Sequence, residues 1–340
     1  MKKEISDIYK DLREGFLVVG LTGAVGSGCT QAARILSSSK DEIEVVLRQV
    51  ATDNGHECLS DSLEERRIHR IRNFYDTSKW QGFYHLKVSN LICAMIFSDE
   101  NYQEYFEALN LDKWVKQQSG ARESLISASK NVLSRIYDNS GVTGIKDGLS
   151  ELDIAIDKYI NKKDPAYVAT FQEAGDCLRR TGKINPNASR QATTSYVFTV
   201  SELIRRTIKI LHKFDLIKFF AIDALRNSFE IQFFKNRYSN FYLFSVSAGE
   251  GIRRSRAKDN FGYSDSDFNN LMRREKADKE STDQNINSCI GLGDVFLDNN
   301  TNDLVKLKYQ LYKYVALLRK PGLFTPTSDE RNMQIALRKR

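Results

Sequence analysis

The chain has 340 residues, with 51 Lys+Arg against 44 Asp+Glu (formal net charge +7), 41% hydrophobic and 28% charged residues. Those proportions exclude a disordered or collagen-like chain, and the length corresponds to two domains or one large α/β domain with insertions. The five scattered cysteines, Cys29, Cys58, Cys93, Cys177 and Cys289, make no C-x-x-C pair and fit reduced thiols in a cytoplasmic protein.

The opening, MKKEISDIYKDLREGF, is charged without the apolar centre of a signal peptide. No run of 18 apolar residues follows, so no membrane partner is expected. FLVVGL (16–21) reads as a buried parallel strand, followed by a glycine-rich turn and a helix through TQAARIL. IEVVLRQV (43–50), whose pattern is ambiguous, and FYHLKVS (83–89) are further strand candidates. From about 98 to 213 the pattern is helical, with apolar residues three and four apart in LSELDIAIDKYI and VSELIRRTIKILHKF. An α/β rhythm then returns: strands LIKFFAID (216–223), FYLFSVS (241–247) and DVFLDN (294–299), each followed by a helix. This alternation predicts an α/β, three-layer, P-loop kinase-like fold with a parallel sheet and a large helical insertion at about 98–213. Pro321 and Pro326 in KPGLFTPTSDE mark a boundary, dividing 1–320 from 321–340.

The sequence GLTGAVGSGCT (20–30) matches G-x-x-x-x-G-K-S/T except at one position, with Gly23 and Gly28 as its glycines and Thr30 as its hydroxyl. Such a loop aims backbone N–H groups at a phosphate, and the helix behind it adds partial positive charge. Gly23, Val25, Gly26, Ser27, Gly28, Cys29 and Thr30 are therefore candidate nucleotide-binding residues. Cys29 stands where the motif has lysine, so binding on backbone amides is expected to survive while phosphoryl transfer loses its cation. A helix N-terminus lowers a thiol pKa, which allows a reactive Cys29, although simple loss of the lysine ranks above it. The bland alternative for the whole segment is a βα turn that binds nothing.

Asp223 follows the apolar run FFAI and is a candidate, with Thr30, for holding Mg²⁺; alternatively it caps the next helix. Arg226, three residues on, is within range of phosphate or substrate. Arg253 and Arg256 share one helix face after FYLFSVS and are candidate nucleotide-binding residues of a closing lid; the alternative is a solvated basic face. Trp80 to Ser89 carries aromatics that either stack a base or, more commonly, pack in the core. Arg179 and Arg180 are weaker candidates for an acceptor phosphate.

The glycine loop resembles that of dephospho-coenzyme A kinase and the wider nucleoside-monophosphate kinase group. The segment AIDALRNSFEIQFFKNRYSNFYLFSVSA, the arginine helix and INSCIGLGDVFLDNN resemble the N-terminal kinase-like domain of bacterial anti-phage deoxycytidylate (dCTP/dCMP) deaminases. In PTSDERNMQIALRKR, Asp329, Glu330, Met333 and Ala336 are similar to the opening helix of a deoxycytidylate deaminase domain. The resemblance spans roughly residues 12 to 320 plus this tail. It implies a nucleotide partner, a nucleoside triphosphate (ATP or dNTP) with Mg as ligand, a zinc-dependent deaminase domain in longer family members, and a homo-oligomer.

The deaminase chemistry needs H-x-E and P-C-x-x-C, and neither occurs in these 340 residues; His56-Glu57-Cys58 lacks the intervening residue. The expected function is thus a nucleotide-binding regulatory P-loop domain of an anti-phage defence deaminase, with no catalytic residue assigned. The alternative is a nucleotide or small-molecule kinase with an atypical loop. Interspersed charge gives no indication of a nucleic-acid partner.

Overall fold

The computed structural model describes residues 15–53, 63–99, 111–138, 144–184, 194–276, 285–301 and 303–325. Its strands are β1 (Leu17–Thr22), β2 (Tyr84–Lys87), β3 (Phe219–Asp223), β4 (Phe241–Ser247) and β5 (Val295–Asp298). Among the described residues they form one parallel sheet in the order β2-β3-β1-β4-β5. Every residue of β1 and β3 is buried, as expected of central strands covered on both faces.

Alternation along β1 feeds two cores. Leu17, Val19 and Leu21 face a layer formed by α1 (Cys29–Leu36), α2 (Lys40–Asp53), α3 (Leu63–Thr77) and, late in the chain, α14 (Leu304–Arg319). Val18 faces the opposite layer, built from α4 (Val88–Ser98), α5 (Leu111–Trp114), α6 (Ala121–Tyr137), α7 (Ile145–Tyr159), α8 (Pro165–Thr181), α9 (Thr199–Phe214) and α10 (Ser228–Arg237). The result is the three-layer α/β fold that the strand and helix alternation predicts. On this second face Gly20 admits close packing, since a Cβ there would lie 2.7 Å from the Phe241 ring and 2.9 Å from Leu225 Cδ1.

Two expectations need correction. The segment 43–50 lies in helix α2, where Ile43, Val46 and Leu47 are buried at three- and four-residue spacing while Val45 is 64% exposed. A helical period thus won over a β-branched composition. The helical insertion begins at Val88, not near 98, because β2 passes directly into α4, an almost wholly apolar helix. Its helices occupy the chain between β2 and β3. His56, Glu57, Cys58, Pro186 and the tail 326–340 lie outside the described residues. Among the described residues no helix is long and apolar enough to cross a membrane.

Past β4 come α11 (Glu250–Phe261), α12 (Asp265–Lys276) and α13 (Ile286–Gly291). A small cluster of Ala257, Tyr263, Phe268, Leu271 and Met272 joins α11 to α12, with Val25 from the glycine loop and Val168 from α8 packed against it. The connection after β1 runs to one side of the sheet and that after β4 to the other. Between these neighbours a crevice opens at the carboxyl ends of the strands.

Candidate functional site

The glycine loop fills the turn between β1 and α1, and its glycines are needed for different reasons. Gly26 (φ +81°) and Gly28 (φ +105°) hold left-handed backbone that other residues rarely adopt. At Gly23 a Cβ would overlap Ser27 Oγ and the Val246 carbonyl oxygen. The Ser27 amide closes the turn by donating to the Ala24 carbonyl at 2.9 Å. Asn299 Nδ2 donates to the Ser27 carbonyl at 2.7 Å, and Arg256 Nη1 to the Gly26 carbonyl at 3.3 Å. With those carbonyls held on one side, the amides of Gly26, Gly28, Cys29 and Thr30 donate to no described residue. Gly28 is the N-cap of α1 and supplies no side-chain cap. The start of the helix is therefore left as a row of unpaired donors.

Cys29 is buried in the sheet-facing core, with its Sγ 3.6 Å from Ser27 Oγ. Burial, reinforced by the negative charge of Asp223, pushes its thiol from the ordinary 9.0 up to about 12. The group is a neutral thiol at physiological pH and not an activated nucleophile, which disposes of the reactive-thiol alternative. It carries no charge to offer a phosphate.

Asp223 ends β3 in register with Leu21 of β1 and Lys87 of β2. Its carboxylate Oδ2 lies 3.1 Å from His85 Nε2, and the residue is 9% exposed. The helix-cap alternative fails, because α10 is capped by Asn227, whose Oδ1 accepts from the Phe229 amide at 2.8 Å. Thr30 is exposed at the first turn of α1, and both Thr30 and Asp223 line the same cavity. Among the described residues no group of three or more His, Cys, Asp or Glu is arranged to hold a metal. A hydroxyl and a carboxylate facing the same cavity nevertheless suit Mg²⁺, which keeps waters and takes few protein ligands.

The arginines divide sharply. Arg256 reaches the cavity but spends its guanidinium on carbonyls, with Nη2 3.0 Å from Asn299 O and 2.9 Å from Thr301 O. Arg253 is buried behind the loop: its Nη1 donates to the Val25 carbonyl at 3.3 Å, and it does not line the cavity. Both brace the loop from its carbonyl side and do not form a lid over its amides. Sequence reasoning missed Glu275 on α12. Its Oε1 accepts the Val25 amide at 2.8 Å and lies 3.1 Å from Arg226 Nη1. The acidic residue of RREK gave no signal, since such a run reads as a solvated helix face.

The loop opens into a cavity of about 850 Å³ that extends over the sheet edge to α4 and α8. Arg34, Lys87, Lys162, Arg179, Arg226 and Arg256 line it together with Asp157 and Asp223. On the insertion side these cations are already paired. Lys87 Nζ is 2.6 Å from Asp153, and Lys162 Nζ 2.6 Å from Asp157. Arg179 is buried between Asp176 (3.1 Å) and Glu230 (2.9 Å), and Arg180 pairs with Glu173, so neither waits for an acceptor phosphate. Trp80 and Phe83 belong to the core, with Trp80 stacked 6.2 Å from Phe219 and its Nε1 donating to the Ser38 carbonyl. A scan against protein-family models and a search of the curated proteins found no match for this chain.

Proposed function

We propose that the chain is a nucleotide-binding regulatory P-loop domain that takes a (deoxy)nucleoside triphosphate with Mg²⁺, as expected for an anti-phage deoxycytidylate deaminase. The observation that carries the nucleotide reading is the row of unpartnered amides at Gly26, Gly28, Cys29 and Thr30, opening into a cavity large enough for a nucleotide. The deaminase connection rests on the sequence resemblance alone.

In this reading the amides hold the phosphate chain, and Thr30 and Asp223 supply protein ligands to the metal. The metal neutralises phosphate charge. Asn299 and Arg256 keep the loop carbonyls turned away from the bound anion. Regulation is favoured over phosphoryl transfer because the lysine position holds a neutral thiol. A kinase reading draws on one observation, the extension of the cavity toward Tyr167 and Phe171, which leaves room for a second substrate.

Titration calorimetry with ATP, dCTP and dTTP, each with Mg²⁺, tests the binding. Gly28→Ala forces a side chain onto left-handed backbone and into Asn299 Nδ2, so binding should fall at least about 100-fold. Equal affinity in the two proteins would sink the proposal. Transfer of label from ATP to a nucleoside monophosphate would establish the kinase reading instead.

A further inference from the structure

The anion-binding loop already holds an anion of its own. Glu275 is almost fully buried, and its carboxylate is bound by the Val25 amide (2.8 Å) and Arg226 (3.1 Å), with Arg253 Nη1 3.7 Å from Oε2. Oε2 has no hydrogen-bond partner, so this buried carboxylate is only partly satisfied. A backbone amide of a glycine loop plus a guanidinium is a donor set that a phosphoryl oxygen uses equally well. Arg226 also lines the cavity, as Cys29 does.

We infer that the Val25 amide and Arg226 form the subsite for the outer phosphoryl group of a nucleoside polyphosphate, and that Glu275 occupies it as an internal competitor. The inference rests on the nucleotide reading above and adds the cation which that reading lacks. An inner phosphoryl group takes the open amides of Gly28, Cys29 and Thr30. The next group along meets Val25 and Arg226, where it displaces the carboxylate. Two anions do not share this pocket, because their repulsion in a partly buried site outweighs what one amide and one guanidinium return. Occupancy by Glu275 therefore sets a threshold that triphosphates overcome and monophosphates never meet.

The experiment compares ATP, ADP and AMP, with Mg²⁺, and inorganic tripolyphosphate on the full chain by calorimetry. Glu275→Gln removes the competing charge and should tighten ATP and tripolyphosphate by roughly tenfold while leaving AMP unchanged. Arg226→Gln should weaken ATP roughly tenfold, again sparing AMP, and Arg226→Lys should restore part of the loss. If Glu275→Gln does not fold, Glu275→Asp, one methylene short of the Val25 amide, should shift ATP in the same direction by a smaller factor. A purely bracing role for Glu275 predicts the opposite sign, weaker ATP in both variants, and that result overturns the inference. So does an ATP affinity indifferent to both positions, which leaves nucleotide binding itself intact. Failure of every probe with both the natural protein and Glu275→Gln would overturn the nucleotide reading as well.

Discussion

The two walls of the cavity are both polar, yet they are built on opposite principles. On the insertion side, Lys87, Lys162 and Arg179 each have a carboxylate partner within 3.1 Å, and the Arg179 cluster is almost wholly buried. On the loop side the side chains turn inward to hold carbonyls, and the unsatisfied groups are backbone amides. Cations that line a cavity are thus poor indicators of where an anion binds when they are already paired. Unpartnered donors are the better guide, because they can exchange water for a ligand's oxygen without breaking any internal bond.

The largest expected effect tests whether the insertion wall is scaffold. Arg179→Met removes the guanidinium between Asp176 and Glu230 and strands two buried carboxylates. It should cost about 3–5 kcal/mol of stability, seen as a marked fall in the thermal midpoint. The protein that remains folded should bind ATP within about threefold of the natural affinity, a spread well under 1.4 kcal/mol. Near-native stability with lost binding would reverse the roles assigned to the two walls.

A smaller effect sharpens the loop side. In Cys29→Lys, an ammonium would extend from the first turn of α1 toward Asp223 and the phosphate chain. The restored charge should tighten Mg-ATP by about tenfold, equivalent to about 1.4 kcal/mol. Unchanged affinity would mean that the loop does not cradle phosphate next to position 29.

The parts of this arrangement legible in the sequence are those set by local pattern. The apolar runs of β1, β3 and β4 announced buried parallel strands, and the glycines with Thr30 announced the loop. The same logic misplaced 43–50, where three β-branched residues within four positions (Ile43, Val45 and Val46) obscured the helical spacing of Ile43, Val46 and Leu47. What decides the chemistry around the loop is long-range. Glu275 meets Val25 across 250 positions and Asn299 meets Ser27 across 272, and no local period encodes such a contact. Arg253 was read correctly as a helix residue but as part of a lid over the phosphates, because the sequence holds no sign that it would take the carbonyl side of the loop. The double arginine at 179–180 equally gave no hint that one member is buried in an ion cluster.

The smallest effect concerns Cys29 as a titrating group and follows from its burial beside Asp223. In the unfolded chain the thiol ionises near 9.0, whereas in the folded protein it keeps its proton to about 12. Between those values the folded state binds more protons than the unfolded state, so stability must fall as pH rises from 9 toward 12 and is fully retained below 9. The slope from this one group is at most about 1.4 kcal/mol per pH unit. Other buried thiols and phenols titrate in the same range, so the measurement is a difference: urea midpoints of the natural protein and of Cys29→Ser at pH 8, 9.5 and 11. Serine does not titrate there, and the variant should lose less stability on the alkaline side than the natural protein. Parallel alkaline curves for the two proteins would show that the Cys29 thiol ionises freely in the folded state. The loop side would then be open to solvent at position 29, and the contrast with the charge-paired insertion wall would rest on its amides alone.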